Sequence, residues 1–106
     1  MRMIPADCPR IVCLCGSTRF AAAYLAAQRS ETLAGRIVLS VGLLGHVEGL
    51  DMSGPVKAAL DELHLRKIDL ADEVLVLNVG GYVGESTGRE IRYAAACGKP
   101  IRYLED

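Results

Sequence analysis

Glu73-Val-Leu-Val-Leu-Asn78 runs into Val79-Gly-Gly-Tyr-Val-Gly84, and that into Glu85-Ser-Thr-Gly-Arg-Glu90. The first stretch is apolar between its ends, as a strand buried on both faces is. The second holds three glycines, so the backbone turns there and can approach a ligand closely. The third opens a helix running to about Cys97. Ser86 or Thr87 is its expected cap, with Glu90 three residues after Thr87 at capping-box spacing. Ile91, Ala94 and Ala95 form the expected inner face, Gly98 and Pro100 end the helix, and Ile101 to Leu104 reads as a short last strand.

The same unit recurs upstream. Arg10-Ile-Val-Cys-Leu-Cys15 is another continuous apolar run, broken by Gly16-Ser17-Thr18-Arg19. Phe20 to Leu33 is Ala-rich, with Phe20, Tyr24, Ala27 and, less cleanly, Glu31 at helical spacing. Gly35 is the expected C-cap. Ile37 to Val41 is a second short strand. Residues 42–54 have no periodicity and carry His46, Glu48 and Asp51 among glycines, so they read as a lid or a mobile loop. Pro55 suits a first helical turn, and Val56, Ala59, Leu60 and Leu63 mark one face of a helix continuing towards Ile68. Residues 1–9 read as a loose lead-in. The β-α-β-α-β-α-β alternation predicts one α/β domain spanning 1–106. It is a three-layer sandwich with a parallel sheet of about four or five strands, flavodoxin-like or Rossmann-like. Ligands in such sheets sit beyond the carboxyl ends of the strands where strand order reverses, so the loops after the first and third strands should be neighbours there.

The composition narrows the function classes. The 106 residues are 51% hydrophobic with a net charge of −1, and the pI is about 6.1. No overall basic field attracts a nucleic acid polymer. No apolar run reaches the roughly 18–20 residues of a membrane span, and Met1 to Arg10 lacks the apolar stretch of a signal peptide. Small size favours a homo-oligomer, a dimer being the simplest. Among the four cysteines, Cys13 and Cys15 lie on one face of the first strand and could share a ligand. Cys-x-Cys without a second Cys/His pair is not zinc spacing. The expectation is therefore buried free thiols, no metal, and a reduced, cytoplasmic protein.

Three groups of residues can carry chemistry. Gly16, Ser17, Thr18 and Arg19 offer hydroxyls, helix-start N–H groups and a guanidinium fork, either as an anion seat or as a plain helix start with a surface Arg. The loop is neither a Walker A nor a GxGxxG motif. In the second loop, Gly81, Tyr82, Gly84, Glu85, Ser86 and Glu90 combine close backbone approach with two carboxylates near a helix N-terminus, whose dipole favours the ionised form. Solvated charges that merely cap a helix are the plain alternative. The third group is Asp61, His64, Lys67, Asp69 and Asp72. His64 and Lys67 share a helix face close to the apolar one, so one or both should reach inward.

Cys15-Gly-Ser-Thr-Arg-Phe20, Lys67-Ile-Asp-Leu-Ala-Asp-Glu-Val74, and Gly80-Gly-Tyr-Val-Gly-Glu-Ser-Thr-Gly-Arg-Glu-Ile91 with Ala94-Ala-Ala-Cys-Gly-Lys-Pro100 together resemble the nucleoside 2-deoxyribosyltransferase superfamily. The nearest likeness is to its small, largely uncharacterised branch of bacterial and phage proteins, and it covers nearly the whole chain. The resemblance implies a flavodoxin-like or Rossmann-like fold, often dimeric. It also implies cleavage of the N-glycosidic bond of a deoxynucleoside or its 5′-monophosphate, with no cofactor. Glu90 matches the nucleophile, Ser17 and Arg19 match a phosphate-binding loop, and Ser86 adds a phosphate contact. Relatives place an Asp before the Ala-Asp pair that opens the third strand. The comparable spot here falls near His64, with Asp69 closer to the strand, so the acid is Asp69 or His64. Tyr82 would stack on the base. A non-catalytic nucleotide-sensing module with the same pocket is the second reading, and a scaffold without ligand the third. Glu90 facing a pocket beside Ser17 favours the enzyme, whereas Glu90 paired with a surface Arg favours the scaffold.

Overall fold

The computed structural model describes residues 8–42 and 54–106. The lid or mobile loop expected over 42–54, with His46, Glu48 and Asp51, lies outside these residues apart from its two ends, as does most of the expected lead-in. In chain order the elements are β1 (Ile11–Cys15), α1 (Ala21–Leu33), β2 (Ile37–Leu39), α2 (Gly54–Leu70), β3 (Glu73–Val76), a 3₁₀ turn (Val79–Gly81), α3 (Glu85–Ala96) and β4 (Ile101–Tyr103). The strands form one sheet in the order β2-β1-β3-β4, parallel throughout. The expected α/β class, parallel sheet and three-layer arrangement are present. No helix among the described residues is long and apolar enough to cross a membrane.

Alternation along β1 creates the layers. Val12 and Leu14 face α1, where they pack with Tyr24, Ala27, Leu75 and Leu77. Ile11, Cys13 and Cys15 face the other way, against Ile68, Ala71 and Ala94 of the α2–α3 side. The helical spacing read for α1 holds, since its buried residues are Tyr24, Ala27 and Glu31. Gly35, at φ 89°, closes that helix in a conformation other residues rarely adopt.

The predicted apolar face of α2 is corrected. Val56 and Leu63 are exposed, at 55% and 52%. The inward stripe instead runs through Lys57, Leu60, Asp61, His64, Lys67 and Ile68. Only the last turns of α2 meet the core, through Ile68 and the following Ala71. The earlier turns border a cavity, so Lys57, Asp61 and His64 face it beside Leu60, while Val56 and Ala59 are left outside.

On the α1 side, the Glu73 carboxylate accepts hydrogen bonds from Arg10 at 2.7 Å and Arg102 at 2.8 Å. Arg102 also pairs with Glu31 of α1. Burial pushes the Glu73 carboxyl up, but the two arginines outweigh it and hold it below its usual value. Glu73 therefore stabilises the fold above its unfolded pKa, and that contribution disappears as pH falls through its lowered folded value. Urea-midpoint measurements should show wild-type stability falling on acidification below about pH 5, and Glu73→Gln should flatten this acid limb. An unchanged limb in the variant would remove Glu73 from the acid response.

Candidate functional site

β1 has β2 on one side and β3 on the other, so strand order reverses between β1 and β3. The carboxyl ends of these strands are pressed together. A Cβ added at Gly16 would lie 3.0 Å from Leu77 Cβ and 3.1 Å from its carbonyl oxygen. Gly16 is thus required by close approach. The two loops meet as expected: the Arg19 guanidinium lies 4.7 Å from the Tyr82 ring centre, and Phe20 meets that ring edge-on at 5.9 Å. Tyr82 folds back over Gly84, where an added Cβ would sit 3.1 Å from its hydroxyl.

A cavity of about 470 Å³ opens at this junction, within the ~300–1,000 Å³ range of small-molecule sites. Gly16, Ser17, Thr18 and Arg19 line one wall. Tyr82, Gly84, Glu85 and Ser86 line a second, and His64 and Glu90 lie among the residues between. Gly81 is outside it; its φ of 83° serves the turn. Asp69 is also outside. It lies at the far end of α2, where the Tyr93 hydroxyl donates to it at 2.6 Å and Arg66 pairs with it at 3.1 Å. α2 runs against the strand direction, so its last residues reach the amino edge of the sheet. The structure thus brings His64, and not Asp69, to Glu90.

Two local expectations are corrected. α1 starts at Ala21 with Phe20 as its N-cap, so Ser17 and Thr18 form the preceding turn and do not open the helix. The Ser17 hydroxyl accepts from the Arg19 side chain at 3.1 Å and from its backbone N–H at 3.3 Å. α3 starts at Glu85 with Gly84 as N-cap and no side-chain cap. The Thr87–Glu90 capping box is absent, because both residues lie inside the helix. Glu85 occupies the first turn, exposed at 89% and paired with Arg89 at 3.6 Å. Glu90 sits in the second turn, its side chain only 13% exposed. Burial pushes the Glu90 carboxyl up, and the nearby His64 opposes that. The balance leaves the Glu90 carboxyl raised above its ordinary value.

His64 Nε2 lies 3.9 Å from Glu90 Oε1. It also lies 3.6 Å from Cys13 Sγ and 3.5 Å from Cys15 Sγ. Burial pulls the imidazole down, but its contacts with Cys13 and Glu90 raise it above its ordinary value. Of the two thiols, Cys13 is held low, first by the hydrogen bond from Cys15, and Cys15 is held high by the same bond and by burial. Lys67 reaches inward as expected and donates to the Ser40 carbonyl at 2.7 Å.

Sequence reasoning missed the cations around Ser86. Lys57 Nζ donates to both Ser86 Oγ and Asp61 Oδ2 at 2.8 Å, and Arg89 reaches the same two atoms at 3.3 and 3.2 Å. Only helical phase could have signalled this: Lys57, Asp61 and His64 are spaced by four and three. Beneath the floor, the Tyr24 hydroxyl donates to the Gly16 carbonyl at 2.6 Å and holds the first loop. No protein-family model and no curated protein matches this chain, so the functional reading rests on the residues of the cavity.

Proposed function

We propose that this protein cleaves the N-glycosidic bond of a nucleoside or nucleoside 5′-monophosphate, or exchanges its base, with Glu90 as nucleophile. One observation carries the reading. The Glu90 carboxylate is sequestered, borders the same cavity as Ser17, and is paired with an imidazole instead of a surface arginine. A carboxylate on a helix is held in place, as attack on a fixed carbon requires.

The Glu90 carboxylate attacks the anomeric carbon from the face opposite the base. The bond from that carbon to the base nitrogen breaks through an oxocarbenium-like state, and its electron pair leaves with the base. His64 supplies the proton that the departing base takes up. Water, or a second base, then attacks the anomeric carbon, its displaced proton returns to His64, and the bond to Glu90 breaks, restoring the free carboxylate. Arg19 and Ser17 hold the 5′-phosphate, and the exposed face of Tyr82 supports the base. A homodimer is part of this proposal, resting on size and family resemblance.

The test is incubation with a panel of nucleosides and 5′-monophosphates, with free base measured by chromatography. Base release from monophosphates is expected. Arg19→Ala should raise KM for a monophosphate about tenfold or more, the scale of a lost charge-assisted hydrogen bond, and leave the matching nucleoside unaffected. Equal effects on both would remove Arg19 from phosphate recognition. Saturable nucleotide binding without release of base would make the protein a sensing module.

A further inference from the structure

Three groups converge on a single ring nitrogen. His64 Nε2 has Cys15 Sγ at 3.5 Å, Cys13 Sγ at 3.6 Å and Glu90 Oε1 at 3.9 Å. A ring nitrogen donates one hydrogen or accepts one, so it serves only one of these neighbours at a time. A cation among them would engage all of them at once. Cys13, Cys15 and His64 are all buried, and their ligand atoms lie within 4.8 Å of one another.

The distances discriminate further. Tetrahedral zinc, with sulfur at about 2.3 Å and nitrogen at about 2.0–2.1 Å, sets sulfur and nitrogen ligands about 3.5–3.6 Å apart. Both thiol–imidazole separations match that spacing, and the two sulfurs, within 4.8 Å of each other, reach the roughly 3.8 Å of a tetrahedral pair by a small side-chain rotation. β1 puts both thiols on one face because alternate residues of a strand share a side, and α2 brings the imidazole across to them. We propose that Cys13, Cys15 and His64 form a binding site for a divalent cation of the zinc class, with its fourth position opening towards Glu90 and the cavity. Thiolate ligands select zinc-class ions over magnesium or calcium, which take oxygen. Three protein ligands and one exchangeable position is a recurrent zinc arrangement.

The metal site shares His64 with the glycosidic reading but does not depend on that reading. Where the two meet, which rests on that reading, they exclude each other: with a metal on Nε2, His64 has no proton on the nitrogen that faces Glu90, so the metal-loaded protein releases no base.

The experiment uses the whole chain, reduced and stripped with a chelator, and cobalt(II) alone as the probe. One equivalent should bind with thiolate-to-cobalt charge-transfer absorption and the intense visible bands of tetrahedral cobalt, and zinc should displace it. X-ray absorption of the zinc-loaded wild type should count two sulfurs at about 2.3 Å and two nitrogen or oxygen ligands. Cys13→Ser with Cys15→Ser should abolish the charge-transfer band. His64→Gln should weaken binding about tenfold or more, and Cys8→Ser with Cys97→Ser should leave it unchanged. A wild type without the band, a band that survives in the folded double variant, or a zinc shell without sulfur would overturn the proposal. If the double variant does not fold, the sulfur count in the wild type decides. None of these readouts involves a nucleotide, so this proposal and the glycosidic one fail separately.

Discussion

Glu90→Gln should lower base release by about 10⁴-fold on whichever nucleotide the wild type cleaves, with nucleotide affinity within a few-fold of wild type. The amide matches the carboxylate in shape but cannot form the glycosyl ester, so the effect appears in kcat and not in KM. About 5.5 kcal/mol of transition-state stabilisation corresponds to that factor. Glu85→Gln is the control. Its carboxylate is 89% exposed and faces Arg89, so turnover should change by less than about twofold, on the scale of a surface ion pair. Rapid-quench trapping of a sugar–protein adduct in the wild type, absent in Glu90→Gln, separates a nucleophile from a residue that only positions substrate. Wild-type turnover in Glu90→Gln would refute the covalent role.

The second large effect is on stability. Ile68 is fully buried between α2 and the sheet. Ile68→Ala removes three carbons at a packed site and should cost about 3 kcal/mol. At roughly 4–8 °C per kcal/mol for a domain of this size, the melting midpoint should fall by about 12–24 °C. Leu63→Ala, five residues earlier and 52% exposed, should change it by no more than about 0.5 kcal/mol. Because Ile68 anchors the helix that carries His64, the variant should also lose turnover at temperatures where it is still folded. A midpoint shift no larger than that of Leu63→Ala would show that α2 is not held through Ile68.

The fold was legible because its signals are local. The apolar runs ending at Cys15 and Asn78, the Ala-rich helix closed by Gly35, and the glycines after the third strand each announce their conformation within a few residues. The parallel order then follows from the alternation of strands and helices. The site was legible only in part. Ser17, Arg19 and Tyr82 belong to two loops that the switch-point rule brings together, and they meet. The start of α3 was misplaced because Gly84, not a hydroxyl residue, takes the cap position. The inner face of α2 was misread because amphipathic reasoning assumes that inward means apolar. Beside a cavity that assumption reverses: Lys57 and Asp61 took inward positions, joining His64 and Lys67, whose inward reach their spacing indicates. The approach of His64 to Cys15 spans 49 residues, and nothing in the spacing of either residue records the other.

The strand order has a consequence for how the molecule holds itself together. β1-α1-β2 and β3-α3-β4 are two similar βαβ units laid side by side, with α2 as the crossover. Among the described residues, their only strand-to-strand seam is the pairing of β1 with β3. Each unit supplies part of the cavity wall, Ser17 and Arg19 from one and Tyr82 and Glu90 from the other. A molecule bound in the cavity therefore acts as a bolt through the seam. Its binding free energy adds to the cohesion of the two halves in proportion to the logarithm of its concentration over Kd.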